Sequence, residues 1–346
     1  MSRTQFRRGI SLLFPILLAL AVWSLPARLG IGAEGAGAKT LPVSVMLNPG
    51  KRPEPVIVDA SHHRVYIGTE TGGSVTVVDD RTNHILRTMP VGREVEDLAL
   101  DPTGGKLYAV SSVLSRLSII DTSTLRIVAV LQHQKDASGV ALDPSRHRLY
   151  VTEPSANAVT VIDTVTNKLI GTLKVPGQPI GIGVDTTLHR VSVGLFKLHR
   201  VDVIDESSDK LIGSIQVGNR PVHPFRVVAS THRLYVLNSG SSSLSIVDTR
   251  ALKIVRTLKL GRYPEGIDVE PAKQRIYVSN EGDPGTDKNS GHTASVIDLR
   301  SGRFIDTLST PRGPDGIAFD PNTGDVYVSV EDSGRVAVIH LPARDR

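Results

Sequence analysis

Along residues 138–179 the apolar positions fall into four short runs, each closed by turn-forming residues. Ala141-Leu142 ends at Asp143-Pro144, Leu149-Tyr150-Val151 follows, Val159 to Ile162 is the third run and Leu169 to Val175 the fourth. Runs of Val, Ile, Leu and Tyr bounded by Asp, Asn, Gly, Ser and Pro, mostly alternating apolar with polar, predict strands of an antiparallel meander. None of them has the 3.6-residue period of an amphipathic helix.

The unit repeats. Tyr150 has counterparts at Tyr66, Tyr108, Ser192, Tyr235, Tyr277 and Tyr327, with steps of 42, 42, 42, 43, 42 and 50 residues. The Asp that closes the third run, Asp163, recurs as Asp79, Asp121, Asp205, Asp248 and Asp298, with His340 in the seventh place. Four strands every ~40–45 residues is the signature of propeller blades, which must stack around an axis because a lone sheet cannot hide both faces. The expected fold is all-β, a seven-bladed β-propeller of four-stranded antiparallel blades. The last blade supplies three strands, at 316–319, 326–329 and 336–340, before the chain ends. Residues 40–47 (TLPVSVML), followed by Asn48-Pro49-Gly50, match the fourth run of the repeat. The N-terminal strand is therefore expected to pair with 336–340 and close the ring, with Leu41, Val43, Val45 and Leu47 on one face.

Residues 1–38 stand apart. Arg3, Arg7 and Arg8 precede an apolar run from about Ile10 to Leu25, and a small-residue stretch ends at Ala36-Gly37-Ala38. Basic, apolar, then small is the pattern of a Sec-type signal peptide, and the run is short for a membrane span. The expectation is a bacterial periplasmic or secreted protein with no stable membrane insertion after leader removal. Residues 39–346 then form one propeller domain, expected to be a monomer. The leader carries four Arg against Glu34, so it accounts for +3 of the formal net charge of +5. The overall basic balance is thus no argument for a nucleic-acid partner. With no Cys, disulfides, thiolate catalysis and Cys-ligated metals are excluded.

The second-run sequences RLYVTE, RLYVLN and RIYVSN, the G-x-x-P-x-G-I pattern (Gly261-Arg262-Tyr263-Pro264-Glu265-Gly266-Ile267) and the VID closing the third run resemble the YVTN repeat family. The resemblance runs from about Thr40 to Leu341. It implies a YncE-like seven-bladed propeller, a secreted binding protein whose relatives include some that bind DNA. The chain departs from the pattern at Val191-Ser192-Val193 and at Val228-Ala229, where the Asp-Pro turn is missing.

Links from first to second strand (DPSRHR, DPTGGK, DPNTGD) and from third to fourth (DTVTNK, DTSTLR) are short and alike, which reads as turn chemistry. Most His, including His63, His147, His189 and His232, fall in these turns, where a surface role is expected rather than ligation. The interblade links and the links from second to third strand vary, so specificity is expected on their face. One class of link position holds Lys51, Arg93, Lys135, Gly177, Arg220 (allowing one inserted residue), Arg262 and Arg312. A second class, three residues nearer the first strand, holds Glu54, Glu96, Ser138, Ile180, His223, Glu265 and Asp315. The expectation is a basic rim (Lys51, Arg93, Lys135, Arg220, Arg262, Arg312) around an acidic channel mouth (Glu54, Glu96, His223, Glu265, Asp315). Asp97, Asp136, His133, Tyr263 and His199 are expected on the same face.

Such pairs can be a solvated ion-pair lattice worth ~0–1 kcal/mol each, or a field that draws an anionic partner. The reading adopted is a non-catalytic binding platform for a polyanion, such as DNA or a glycan, or for a protein. Only Tyr263 and Phe196 are placed to stack bases, which weakens the single-stranded DNA case. The alternative is a metal-assisted hydrolase or lyase at the channel mouth. No H-E-x-x-H, G-x-S-x-G or P-loop is present, and Asp283, Asp287 and His292 in the long link of blade 6 fit no Ca²⁺-loop spacing. No catalytic residue, cofactor or metal is expected.

Overall fold

The computed structural model describes residues 39–341 apart from 114, 133–135 and 283–290. Residues 1–38, where a leader is expected, and His133, Lys135, Asp283 and Asp287 lie outside the described residues. Seven antiparallel sheets follow one another, each ordered from an inner to an outer strand. Blade 1 comprises Pro53–Asp59, Arg64–Thr69, Ser74–Asp79 and Ile85–Pro90, and blade 4 comprises Pro179–Asp185, Arg190–Leu195, Arg200–Asp205 and Lys210–Gln216. Inner strands of consecutive blades touch all the way round, including Pro314–Phe319 of blade 7 against Pro53–Asp59 of blade 1. The chain is a seven-bladed β-propeller.

The tyrosine landmark is the core of each interblade layer: Tyr66, Tyr108, Tyr150, Tyr277 and Tyr327 are fully buried. Ser192, in the tyrosine's place in blade 4, is buried in an intact strand, so the departure from the pattern costs no architecture.

Two further repeated contacts tie blade to blade. A hydroxyl two residues after the landmark accepts from a glycine N–H of its own inner strand and donates to the next blade's inner strand. Gly139 N and Ile180 O flank Thr152 Oγ1 at 2.7 and 2.9 Å, and Gly316 N and Glu54 O flank Ser329 Oγ at 2.7 and 2.7 Å. Gly266, Ser279 and Asp315 O repeat the arrangement. On the opposite face the basic residue opening the second strand reaches a carbonyl in the next blade, as Lys106 to Thr164 O at 2.5 Å and Arg148 to Glu206 O at 2.6 Å.

The seam is closed by the N-terminal segment, but not as one strand. Val45–Leu47 pairs antiparallel with Arg335–His340, in the register Val45↔Val338 and Leu47↔Val336. Lys39–Leu41 instead adds a fifth, parallel strand to blade 6, beside Phe304–Ser309. Pro42 lies at the break and has no N–H to continue a ladder, so the chain crosses between blades there. The expectation of four apolar side chains on one buried face is corrected accordingly. Leu47 is buried and Leu41 and Val43 pack between blades 6 and 7, whereas Val45 is 39% exposed.

The VID aspartates have the turn role that the pattern implied. Asp121 accepts from Thr124 N at 2.7 Å and Asp163 from Thr166 N at 2.6 Å, and a residue of positive φ (Leu125, Asn167) completes each turn. The Arg81 side chain, with Thr82 and the Arg81 N–H, holds the Asp79 carboxyl down to about 2. The Thr124 N–H and the Ser123 and Thr124 hydroxyls do the same for Asp121. Hydroxyls of Thr166, Ser208 and Ser301 lower Asp163, Asp205 and Asp298. A carboxyl lowered by folding stabilises the fold above its unfolded pKa of ~3.9 and loses that contribution as pH falls through its folded value. The melting temperature is therefore expected to drop between pH 5 and about pH 2, and less steeply in Asp121→Asn. A flat profile over that range would refute the assignment.

Candidate functional site

On the face built from the interblade links, every link has a residue of positive φ at the same place: Arg52, Glu94, Asp136, Gln178, Arg220, Tyr263 and Gly313. Six of these links are tied to the following hairpin by the carbonyl of that residue, as Arg52 O to Glu70 N at 2.8 Å, Arg220 O to Ser239 N at 3.1 Å and Gly313 O to Glu331 N at 2.9 Å. This frame settles the alignment of the links. Lys51, Arg93, Arg262 and Arg312 each precede the turning residue and are exposed. In blade 5 that place belongs to Asn219, and Arg220 is itself the turning residue, half-buried with its guanidinium 5.8 Å from the Phe196 ring centre. Blade 4 has Gly177 there. Among the described residues, the exposed basic side chains of this class thus form an arc across the seam, on blades 6, 7, 1 and 2. Arg312 pairs with Asp332 at 3.6 Å, but both groups are exposed and the pair neutralises little.

The second class of residues is buried. Glu54, Glu96, His223, Glu265 and Asp315 are 2, 4, 1, 7 and 2% exposed. They sit where the inner strands bulge, as the register shifts at Pro53/Val56, Val222/Arg226 and Pro314/Ile317 show, and a bulge re-aims the side chains it carries. Glu96 of blade 2 and His223 of blade 5 meet across the axis at 4.0 Å, and the Ser112 hydroxyl donates to Glu96 at 2.7 Å. With Asp315 and Arg226 they line a space of about 20 Å³, on the order of one water molecule. This end of the channel is a polar plug rather than an open mouth.

Glu54 belongs to a different group. Its carboxylate lies with those of Glu70 and Glu331, one oxygen from each within 4.8 Å of the others, and all three side chains are buried. Glu70 and Glu331 directly follow the second strands of blades 1 and 7, a recurrence visible in the sequence once the repeats are aligned. The Arg52 guanidinium pairs with both, and so places a positive charge among the carboxylates. The chemistry is that of an ion-paired clamp across the seam.

Of the remaining residues, Asp97 accepts from Leu98 N at 2.9 Å and Val140 N at 3.0 Å, bridging blades 2 and 3. Asp136 accepts from Ser155, and His199 Nδ1 accepts from Arg220 N at 3.2 Å. Phe196 is half-buried and packs against the core between blades 5 and 6.

No protein-family model matches the chain, and no curated protein does. Among solved structures it is similar to the β-propeller domain of Cps50 (Swd1) from Myceliophteria thermophila, at 12% identity and a TM-score of 0.74 over 87% of this chain and 99% of that one. It is also similar to Kuenenia stuttgartiensis hydrazine synthase, at 18% identity and a TM-score of 0.72 over 89% of this chain and 99% of that one. At these identities the likeness is one of fold, a scaffold that hosts unrelated functions.

Proposed function

We propose that the protein is a non-catalytic binding platform whose ligand is an anionic polymer laid along the arc of Lys51, Arg93, Arg262 and Arg312. The observation that carries this reading is the recurrence of exposed cations at one backbone position on neighbouring blades, on rigidly tied links. Like charges held on one face raise the local potential even when net charge is small. Lys135 would extend the arc to blade 3. Phe196 is half-buried and faces the Arg220 guanidinium, and with so few aromatics on this face a phosphate- or sulfate-bearing backbone read by charge is favoured over bases read by stacking. The YVTN resemblance and the leader-like residues 1–38 support an extracytoplasmic setting, either periplasmic or secreted, and with it a YncE-like role. The competing reading, a metal-assisted hydrolase or lyase at the channel end, is disfavoured by the guanidinium among Glu54, Glu70 and Glu331 and by a space that admits only water.

The test is a triple variant, Arg93→Glu, Arg262→Glu and Arg312→Glu. Wild-type protein is expected to be retained on immobilised heparin and the variant to pass through, with melting temperatures within a few degrees. Equal retention of the two proteins would overturn the reading.

A further inference from the structure

On the face opposite the arc, each inner strand of blades 1–4 and 7 ends in an aspartate, which caps its turn with one oxygen. In blade 4 that residue is Asp185. Its other oxygen accepts from His232 Nδ1 at 3.0 Å and from the Thr249 hydroxyl at 2.6 Å, both in blade 5. Thr249 follows the VID motif, and Thr122 and Thr164 occupy the same place in blades 2 and 3. The hydroxyl completes a closed, satisfied contact. One blade earlier the same position holds Glu206.

The substitution of a carboxyl for a hydroxyl changes what the group can hold. Asp143 Oδ1 is used by its turn, accepting from Ser145 N at 2.9 Å, which leaves Oδ2 aimed at His189 Nδ1 at 3.0 Å. His189 Nδ1 stands 3.4 Å from Glu206 Oε2, and the three atoms all lie within 4.8 Å of one another. Ligand atoms bound at ~2.0–2.2 Å to one metal ion are ~3.0–3.5 Å apart in octahedral or tetrahedral geometry, which the two shorter separations match. A second observation points the same way. Glu206 is 1% exposed, and its oxygens, which face Asp143, His189 and the buried Tyr150 hydroxyl, make no hydrogen bond of normal geometry. Arg146 Nε is 3.9 Å from Glu206, beyond hydrogen-bond reach, and the Arg148 guanidinium is directed to the Glu206 carbonyl.

We infer that Asp143, His189 and Glu206 form a binding site for one divalent transition-metal ion of borderline softness, such as Zn²⁺ or Co²⁺. One His nitrogen and two carboxylate oxygens suit such an ion better than Ca²⁺ or Mg²⁺, which favour all-oxygen shells. Nδ1 ligates through its lone pair, so on binding a proton held there passes to Nε2 of the same ring or, from the imidazolium, to solvent. His189 is partly exposed, which opens the site to ions from solvent.

The test compares wild type with Glu206→Thr, which restores the residue the repeat uses elsewhere, and with His189→Ala. After dialysis against Zn²⁺, wild type is expected to hold one equivalent more than either variant. Titration with Co²⁺ is expected to give visible ligand-field bands in wild type alone, with affinity at least tenfold weaker in both variants. Melting without added metal keeps the fold in view, and Glu206→Thr is expected to be at least as stable as wild type. Zn²⁺ uptake by Glu206→Thr equal to wild type, or no uptake by wild type, would overturn the site. Either result is independent of heparin binding, so failure here leaves the arc untouched.

Discussion

Removing residues 39–49 is expected to open the ring. Leu47 is buried with Val56, Val65, Val336 and Val338, in the layer that joins blade 7 to blade 1. Leu41 and Val43 wedge between blades 6 and 7. Full burial of one such side chain is worth ~1.5–3 kcal/mol, and because Leu41 and Val43 are only partly buried the three together contribute about 3–6 kcal/mol. Backbone contacts add to this, with Ser44 N on Val338 O at 2.8 Å and Pro49 O accepting from Thr76 Oγ1 at 2.8 Å. Against a total stability of ~5–15 kcal/mol this is a large share, and the deletion also strips the partner from Arg335–His340. The expected result is insoluble protein, or a fall in melting temperature far greater than any surface substitution gives. A truncated chain that melts with the intact one would show that the seam is held without the latch.

The second large effect is expected from a single methyl group. A Cβ placed on Gly316 would lie 1.9 Å from Glu54 O and 3.1 Å from Ser329 Oγ, at the hydroxyl contact that joins blade 7 to blade 1. Neither backbone can yield without parting the two inner strands. Gly316→Ala is therefore expected to cost at least the upper end of the ~1–3 kcal/mol typical of overpacking. Gly266→Ala, 2.2 Å from Asp315 O, is expected to behave alike. Gly171 supplies the control, because its added Cβ meets nothing closer than Val161 Cβ at 3.9 Å. Denaturant midpoints for the three variants decide the matter. A Gly316→Ala protein as stable as Gly171→Ala would mean that the blades do not approach as described.

The blade count was legible because it rests on buried tyrosines and turn aspartates, residues whose spacing follows from strand length and turn geometry alone. The latch was legible in part. An alternating apolar run announced a strand, but its division at Pro42 between two blades depends on which outer edges the ring leaves open. The acids at the inner-strand bulges were visible as a class. Their burial was not, because it depends on the channel radius, which brings Glu96 and His223 together from opposite sides of the ring. The inserted residue that Arg220 requires could not be placed from sequence, since only the backbone shows that Arg220 is itself the residue that turns. Glu206 escaped notice for another reason: its meaning emerges only when it is set against Thr122, Thr164 and Thr249 and seen beside Asp143 of the preceding blade.

The central claim, that the cationic arc is the working surface, is tested most directly by the salt dependence of binding to a single-stranded oligonucleotide used as a defined polyanion. Each phosphate neutralised contributes a slope of about −0.7 in log K against log salt. Wild type is expected to show a slope on the order of −3, and the Arg93, Arg262 and Arg312 charge-reversal variant a slope near −1 or no binding. Identical slopes for the two proteins would contradict the account.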